Sequence, residues 1–385
     1  MNFLKLIFRN AFRHKLRTGL TIFGIVVAIL AFGLLQTVVT AFYAGANAAS
    51  STRLVSRNAI SLTFSLPISY RARVKAVDGV TSVGYANWFG GIYQEPKNFF
   101  PQFAIDGATY LDLYPEYKLT PAERDAFLRD RRGCIVGRKL ADTFGFKIGD
   151  VIPIKGTIFP GKWEFVVRGI FEGAEAATNT SQLLFQWDYL NETMLKTVPR
   201  RANYTGVYIV GITSGDRAAE ISNAVDEQFR NSLAETLTET EKSFQLGFVS
   251  MSDQIVAAIR VVSFVVILII LAVVANTMAM TARERLSEYA TLKALGFGPG
   301  YVAALIFGES LALAFIGCVI GIALTFPMAQ AFASAVGTMF PVFAVSNETV
   351  QMQILCAIAV GILAAIVPSR RAATVKIVDG LRSIA

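Results

Sequence analysis

Few residues here could make or break bonds. His14 is the sole histidine, and it stands in a basic segment ahead of a long apolar run. A Ser-His-Asp or Cys-His site elsewhere in the chain therefore has no base to work with. Of the cysteines, Cys318 and Cys356 lie within apolar runs, which leaves Cys134 alone in the polar part. That spacing gives neither a zinc site nor a disulfide framework. The segment "GTIFPGKW" (156–163) fits the start of a G-x-x-x-x-G-K phosphate loop, but Trp163 stands where a Mg²⁺-binding hydroxyl belongs. The following "KWEFVVRGIF" reads as a strand, not as a helix whose first amides would cradle phosphate. A hairpin is expected there. Carboxylate pairs such as Asp226–Glu227 fall on the polar face of an amphipathic helix. These residues point to a chain with no catalytic site, no metal site and no bound cofactor.

Polar groups inside apolar runs are more informative, because each costs free energy in hydrocarbon. Glu309 lies about two turns into one such run, where it needs a basic partner or water. Asn276 lies in another and could hydrogen-bond across helices. "GCVIG" places Gly317 and Gly321 four apart, the spacing for close helix approach. Between two apolar runs sits "ERLSEYATLKALG" (284–296), too charged to span a bilayer and too short to be a domain.

These features must be positioned by a membrane framework. Of the 385 residues, 54% are apolar and 17% charged. Runs long enough to cross a bilayer lie near 18–43, 255–281, 301–327 and 351–367. The expected fold is a membrane protein with four transmembrane α-helices and a large α/β extracytoplasmic domain between helices 1 and 2. The expected divisions are an interfacial helix at 1–17, spans at 18–44, 251–282 (with a stalk), 300–333 and 351–368, and an outer domain at 45–250. Segment 100–172 is expected as an inserted subdomain, 283–299 as a cytoplasmic helix, 334–350 as a short outer loop and 369–385 as a cytoplasmic tail.

The net charge of +8 is located at the membrane flanks. Residues 46–253 hold equal numbers of acids and bases, whereas Lys5, Arg9, Arg13, Lys15 and Arg17 precede span one. Arg283, Arg285 and Lys293 follow span two; Arg370, Arg371, Lys376 and Arg382 follow span four. The 334–350 loop has no Lys or Arg. Short basic loops stay in the cytoplasm, so both termini are expected inside, and nucleic-acid binding is a poor account of the basic balance. Within 1–17, Phe3, Leu4, Ile7, Phe8 and Ala11 share a helical face, as in a helix lying in the interface. In the outer domain "NAISLTFSL" (58–66) alternates like a strand. Ile221, Val225, Phe229 and Leu233 recur every four residues, the pattern of a helix packed on a sheet. Helical periodicity runs from "GFVSMSDQIVAAIRVV" to about Arg285 without a break.

The segment "ERLSEYATLKALGFGPG" resembles the cytoplasmic loop of MacB/FtsX-type ABC transporter permeases, with Arg285, Glu288, Lys293, Ala294, Leu295 and Gly296 on the motif positions. Tyr289 replaces a commoner small residue, as in DevC-like permeases. "RNAFRHKLRTGLTIFGIVVA", "NTMAMTARER", "CIVGRKLADTFGFKIGDVIPI" and "VPSRRAATVKIVDGLRS" resemble the same family, which also includes lipoprotein-release-type exporters. The tail departs at Ile377-Val378, where a proline is usual.

The resemblance implies a non-catalytic permease of the bacterial inner membrane. It implies a second permease copy, alike or different, and two copies of an ABC ATPase that hold ATP and Mg²⁺. A periplasmic adaptor and an outer-membrane channel are implied as further partners beside the lipid bilayer. The 284–296 helix would dock on the ATPase. Leu286, Tyr289, Leu292 and Leu295 would line its buried side, with Arg283, Glu284, Arg285, Glu288 and Lys293 at the rim. Export of a lipid, peptide or drug-like molecule is the expected function. The alternative is a non-transporting signal subunit that activates a periplasmic cell-wall hydrolase or sensor.

Overall fold

The computed structural model describes residues 7, 11–175, 178–336 and 342–375. Most of the expected interfacial helix, the centre of the short outer loop and the end of the tail lie outside the described residues. Two compact units result: Ala41–Ser252 with Val336–Val342, and Met1–Thr40 with Asp253–Ala335 and Phe343–Ala385.

The first helix, α1 (Lys15–Ala48), carries no charge beyond its opening turn and is long enough to cross a bilayer. Then comes the α/β unit. Its strands are β1 (Arg53–Asn58), β2 (Leu66–Pro67), β3 (Val80–Trp88), β4 (Gly91–Ile92), β5 (Gln102–Ile105), β6 (Tyr117–Lys118), β7 (Gly133–Gly137), β8 (Val151–Gly156), β9 (Gly161–Gly173), β10 (Leu183–Gln186), β11 (Tyr204–Thr205), β12 (Val207–Ile212) and β13 (Thr236–Thr240). Its helices are α2 (Tyr70–Lys75), α3 (Gly107–Leu113), α4 (Pro121–Arg129), α5 (Arg138–Phe144), α6 (Trp187–Thr197), α7 (Ala218–Phe229) and α8 (Glu241–Ser250).

One sheet runs β13-β1-β12-β3-β5-β10-β7-β9-β8-β4. Strands from 102–173 therefore continue the sheet begun by β1 and β3, with β10 paired between β5 and β7. Side chains alternate across a strand, so Leu183 and Phe185 enter one core while Leu184 enters the other. α3 and α4 cover the Leu184 side through Tyr110, Leu111 and Phe127. Val74, Leu140, Leu190 and Val225 from α2, α5, α6 and α7 cover the opposite side. "GTIFPGKW" forms the β8–β9 hairpin, and Trp163 is buried with its Nε1 donating to Phe159 O at 3.0 Å.

Three expectations are corrected. β1 ends at Asn58, and residues 59–65 form turns before β2. Asn58 Oδ1 accepts from Ile60 N at 3.0 Å and Ser61 Oγ from Thr63 N at 3.2 Å. These local bonds take amides that a strand would need. Leu233 does not join the Ile221–Val225–Phe229 stripe: α7 stops at Phe229, Asn231 takes φ +58, and Leu233 is exposed. The helix expected to run unbroken into span two is interrupted at Met251–Ser252, where Ser252 N turns back to Val249 O at 2.8 Å.

The second unit adds α9 (Asp253–Glu284), α10 (Leu286–Ala294), α11 (Pro299–Val336) and α12 (Asn347–Thr374). Among the described residues α1, α9, α11 and α12 are long and apolar enough to cross a membrane. α11 opens on Pro299, whose missing N–H is not needed at a first helical position. Ser346 caps α12 by accepting from Thr349 N at 3.1 Å. α9 packs on α12. A Cβ at Gly317 would stand 2.5 Å from Ile25 Cγ2 and one at Gly321 2.8 Å from Ile29 Cγ2, so α1 meets α11 at its glycines. Buried Gln353 of α12 donates through Nε2 to Ile29 O of α1 and Thr325 Oγ1 of α11, both at 2.9 Å. Such interhelical bonds hold helices where lipid offers no hydrophobic drive to associate.

Candidate functional site

The chain leaves α9 at Arg285, whose φ −106 and ψ 15 end that helix and start α10. α10 has nine residues, shorter than the 283–299 stretch expected from the sequence. Its end follows from Gly296. Gly296 takes φ +89, its N–H reaches Lys293 O at 3.0 Å, and Phe297 N reaches Leu292 O at 3.0 Å. This is a Schellman stop, which needs a residue at ease in the left-handed region.

α10 is tied to the other helices of its unit by charged side chains. Arg285 Nη1 donates to Glu309 of α11 at 2.5 Å, and both residues are buried. Arg285 Nε donates to Glu288 at 2.8 Å. Arg13, ahead of α1, also donates to Glu288. Arg17 in the first turn of α1 holds Glu284 in a two-pronged pair at 2.6 and 2.7 Å, the strong form of such a contact. Lys293 Nζ donates to Ala373 O at 2.6 Å and Val375 O at 2.9 Å. These carbonyls lie at the C-terminal end of α12, where a cation is favoured.

Burial alone would destabilise charge on Arg285, but the field and hydrogen bonds of Glu309 and Glu288 and the nearby Tyr289 outweigh it and raise its pKa. Burial works against ionisation of Glu288, yet bonds from Arg285 and Arg13 hold its carboxyl below the usual glutamate range. Burial pushes the Tyr289 hydroxyl up to about 12, and the Arg285 guanidinium lies 5.3 Å from the Tyr289 ring centre.

The residues expected on one docking face separate. Tyr289 is buried with Ala282, Val302, Ile306, Ala365 and Ala372, and Leu292 packs against this cluster. Leu286 is half-buried. Leu295 alone is open, 71% exposed, because it lies past the last helical residue. The apolar stripe of α10 is thus occupied by its own bundle; Thr291 and Ala294 are exposed on the helix, with Arg283 and Leu295 exposed just beyond its two ends. Arg285, expected at the rim, is inside. Asn276, expected to bond across helices, is exposed on α9 and has no side-chain partner among the described residues. Among the described residues, no cluster of His, Cys, Asp or Glu could hold a metal ion.

Sequence reasoning missed the partners in this arrangement. In the sequence Arg13 stands as topogenic charge and Arg17 both as topogenic charge and on the basic position of the resembling first-span entry, yet the two are four apart, as are Glu284 and Glu288. That matched spacing was the available signal. A second junction was also missed, at the start of the α/β unit. Buried Arg53 of β1 donates to Glu241 at 2.8 Å, to Glu116 at 2.6 Å and to Leu113 O at 2.8 Å, and it lies 4.2 Å from the Tyr114 ring centre. Glu241, the first residue of α8, also accepts from Ser50 N at 2.9 Å. The segments joining the unit to α1 and to α9 are thus fastened to each other. Arg53, Glu116 and Glu241 are far apart in sequence, with no periodicity to link them.

Comparison with known proteins gives two matching regions. Residues 18–228 match the MacB-like periplasmic core domain, and residues 260–377 match the FtsX-like permease C-terminal region. A protein of Methanocaldococcus jannaschii described as an uncharacterized ABC transporter permease is 25% identical over 409 aligned positions, covering 97% of this chain and 96% of its own. The extracellular domain of the ABC-type transporter YknZ from Gram-positive bacteria aligns at TM-score 0.36 and 17% identity, over 49% of this chain and 98% of that one. The periplasmic region of MacB from Actinobacillus actinomycetemcomitans aligns at TM-score 0.36 and 11% identity, over 52% of this chain and 94% of that one.

Proposed function

Because this chain belongs to the MacB/FtsX-type permease family, with a MacB-like periplasmic core domain ahead of an FtsX-like permease C-terminal region, we propose that it is the membrane subunit of an ATP-binding cassette exporter. ATP and Mg²⁺ belong to a separate ATPase, two copies of which serve a pair of permease chains. Both termini and α10 face the cytoplasm, and the α/β unit faces the other side. Hydrolysis on the ATPase pushes α10, and the spans carry the movement to the α/β unit. That unit handles a lipid, peptide or drug-like molecule, with a periplasmic adaptor and an outer-membrane channel as further partners.

The observation that carries this reading is the fastening of α10. Glu288 and Glu284 connect this corner to Arg13 and Arg17 at α1, Arg285 connects it to α11, and Lys293 to α12. A push on the open face would reach every span, because each tie is a charge-assisted bond that resists stretching. Two of these ties begin on α10 itself and two at the α9–α10 corner that leads into it.

Leu295→Asp tests the reading. Leu295 is exposed, so the variant is expected to fold and insert normally. Solubilised from its native membranes, the wild-type chain should bring down an ATPase in stoichiometric amount, and the variant should lose most of it. An undiminished ATPase with the variant, or none with the wild type, would sink the proposal.

A further inference from the structure

We propose that the cleft between the charged end of α1 and the facing turns of α9 is a binding site for an anionic phospholipid. The cleft has a volume of about 650 Å³. Its charged end is formed by His14, Lys15 and Arg17, while Leu20, Val273 and Thr277 line it further along. Arg17 is committed to Glu284, so that carboxylate is already neutralised. The side chain of Lys15 makes no hydrogen bond or ion pair among the described residues, which leaves one uncommitted positive charge at this end, with the polar His14 ring beside it.

The polarity changes with depth. Leu20 lies three residues past Arg17 on α1, about 4.5 Å at 1.5 Å per residue, and Val273 lines the cleft with it from α9. At that depth the lining is aliphatic and open: Leu20 is 64% and Val273 47% exposed. A small soluble anion would gain from the bases but would leave the apolar part of the cleft unfilled. A phospholipid satisfies both ends, with its phosphate among the bases and its upper acyl chain against Leu20 and Val273. Basic pockets between membrane helices are suited to anionic headgroups in this way. Asn276 fits the same occupant. It lies on the face of α9 shared by Val273 and Thr277, and its exposed amide can meet the ester region between headgroup and chain. The site rests on this local chemistry and not on the identity of any ATPase or exported substrate.

The test is native mass spectrometry of the full chain in detergent, titrated with phosphatidylglycerol or with phosphatidylcholine. The wild type should retain phosphatidylglycerol selectively. His14→Gln/Lys15→Gln removes two exposed side chains and leaves the Arg17–Glu284 pair intact; it should weaken that retention about fivefold, the factor expected for one basic residue beside an anionic surface. Val273→Trp should weaken it comparably by filling the cleft without changing charge. Equal retention of both lipids, or unchanged retention in both variants, overturns the proposal. So does displacement of phosphatidylglycerol by inorganic phosphate at equal concentration, which would assign the bases to a free anion. A Val273→Trp protein with altered subunit stoichiometry and an unaltered lipid count would assign the face to protein contact instead.

Discussion

Arg285 holds Glu309 at 2.5 Å and Glu288 at 2.8 Å while its guanidinium lies near Tyr289. Such a buried pair has an asymmetric energetic signature. Removing one partner strands the other charge, at a cost of about 3–5 kcal/mol, whereas replacing both with apolar groups is far less damaging. Glu309→Gln should therefore lower unfolding stability in detergent strongly, and Arg285→Met/Glu309→Leu should recover much of the loss. If the losses simply add, the two residues are not coupled. Glu288 makes a different prediction, because two guanidinium groups lower its pKa in the folded protein. Its stabilising contribution is complete above the ordinary glutamate range and is lost as the pH falls through the lowered folded value. The gap in melting temperature between wild type and Glu288→Gln should be flat near neutral pH and close on the acid side. With the side chain 40% exposed, the gap should also shrink in high salt. A gap that widens in acid would contradict this arrangement.

α10 shows how much an element's neighbours decide. From spacing alone, Leu286, Tyr289, Leu292 and Leu295 form one apolar stripe, and periodicity does not say what covers it. The bundle takes Tyr289 and Leu292, while the Gly296 stop leaves Leu295 outside the helix. The remaining link to α12 is Lys293, bonded to the carbonyls of Ala373 and Val375. Lys293→Met keeps an aliphatic stem but frees those carbonyls. Faster amide hydrogen exchange is expected through the last turn of α12, together with reduced stimulation of a bound ATPase at unchanged ATPase binding. Unchanged exchange there would show that Lys293 does not hold α10 to α12. Strand and helix ends were harder to read than their existence. The end of β1 is set by Asn58 and Ser61 turns, and the break before α9 by a local bond at Ser252.

Across the whole molecule, the charge distribution makes a prediction about topology. Bases crowd the ends of α1, α9 and α12 that lie near α10, and none occurs in 334–350. Cysteines placed at Leu295 and Leu233, both exposed positions, should react with an impermeant thiol reagent from opposite sides of the membrane. Labelling of both from one side would contradict the arrangement of spans. The sequence by itself determined the four apolar helices, the α/β domain between the first two and the short charged helix between the second and third. Hydropathy and periodicity are local properties that a stretch of chain carries wherever it folds. The tertiary structure alone decided that Arg285 meets Glu288 and Glu309, that Arg13 and Arg17 pair with Glu288 and Glu284, that Arg53 joins Glu116 to Glu241, and that Tyr289 faces inward. Each of these depends on which distant residues come within a few ångströms of one another, and at Arg285–Glu309 and Arg53–Glu241 the space is buried, so a charge there must find a partner or pay for desolvation.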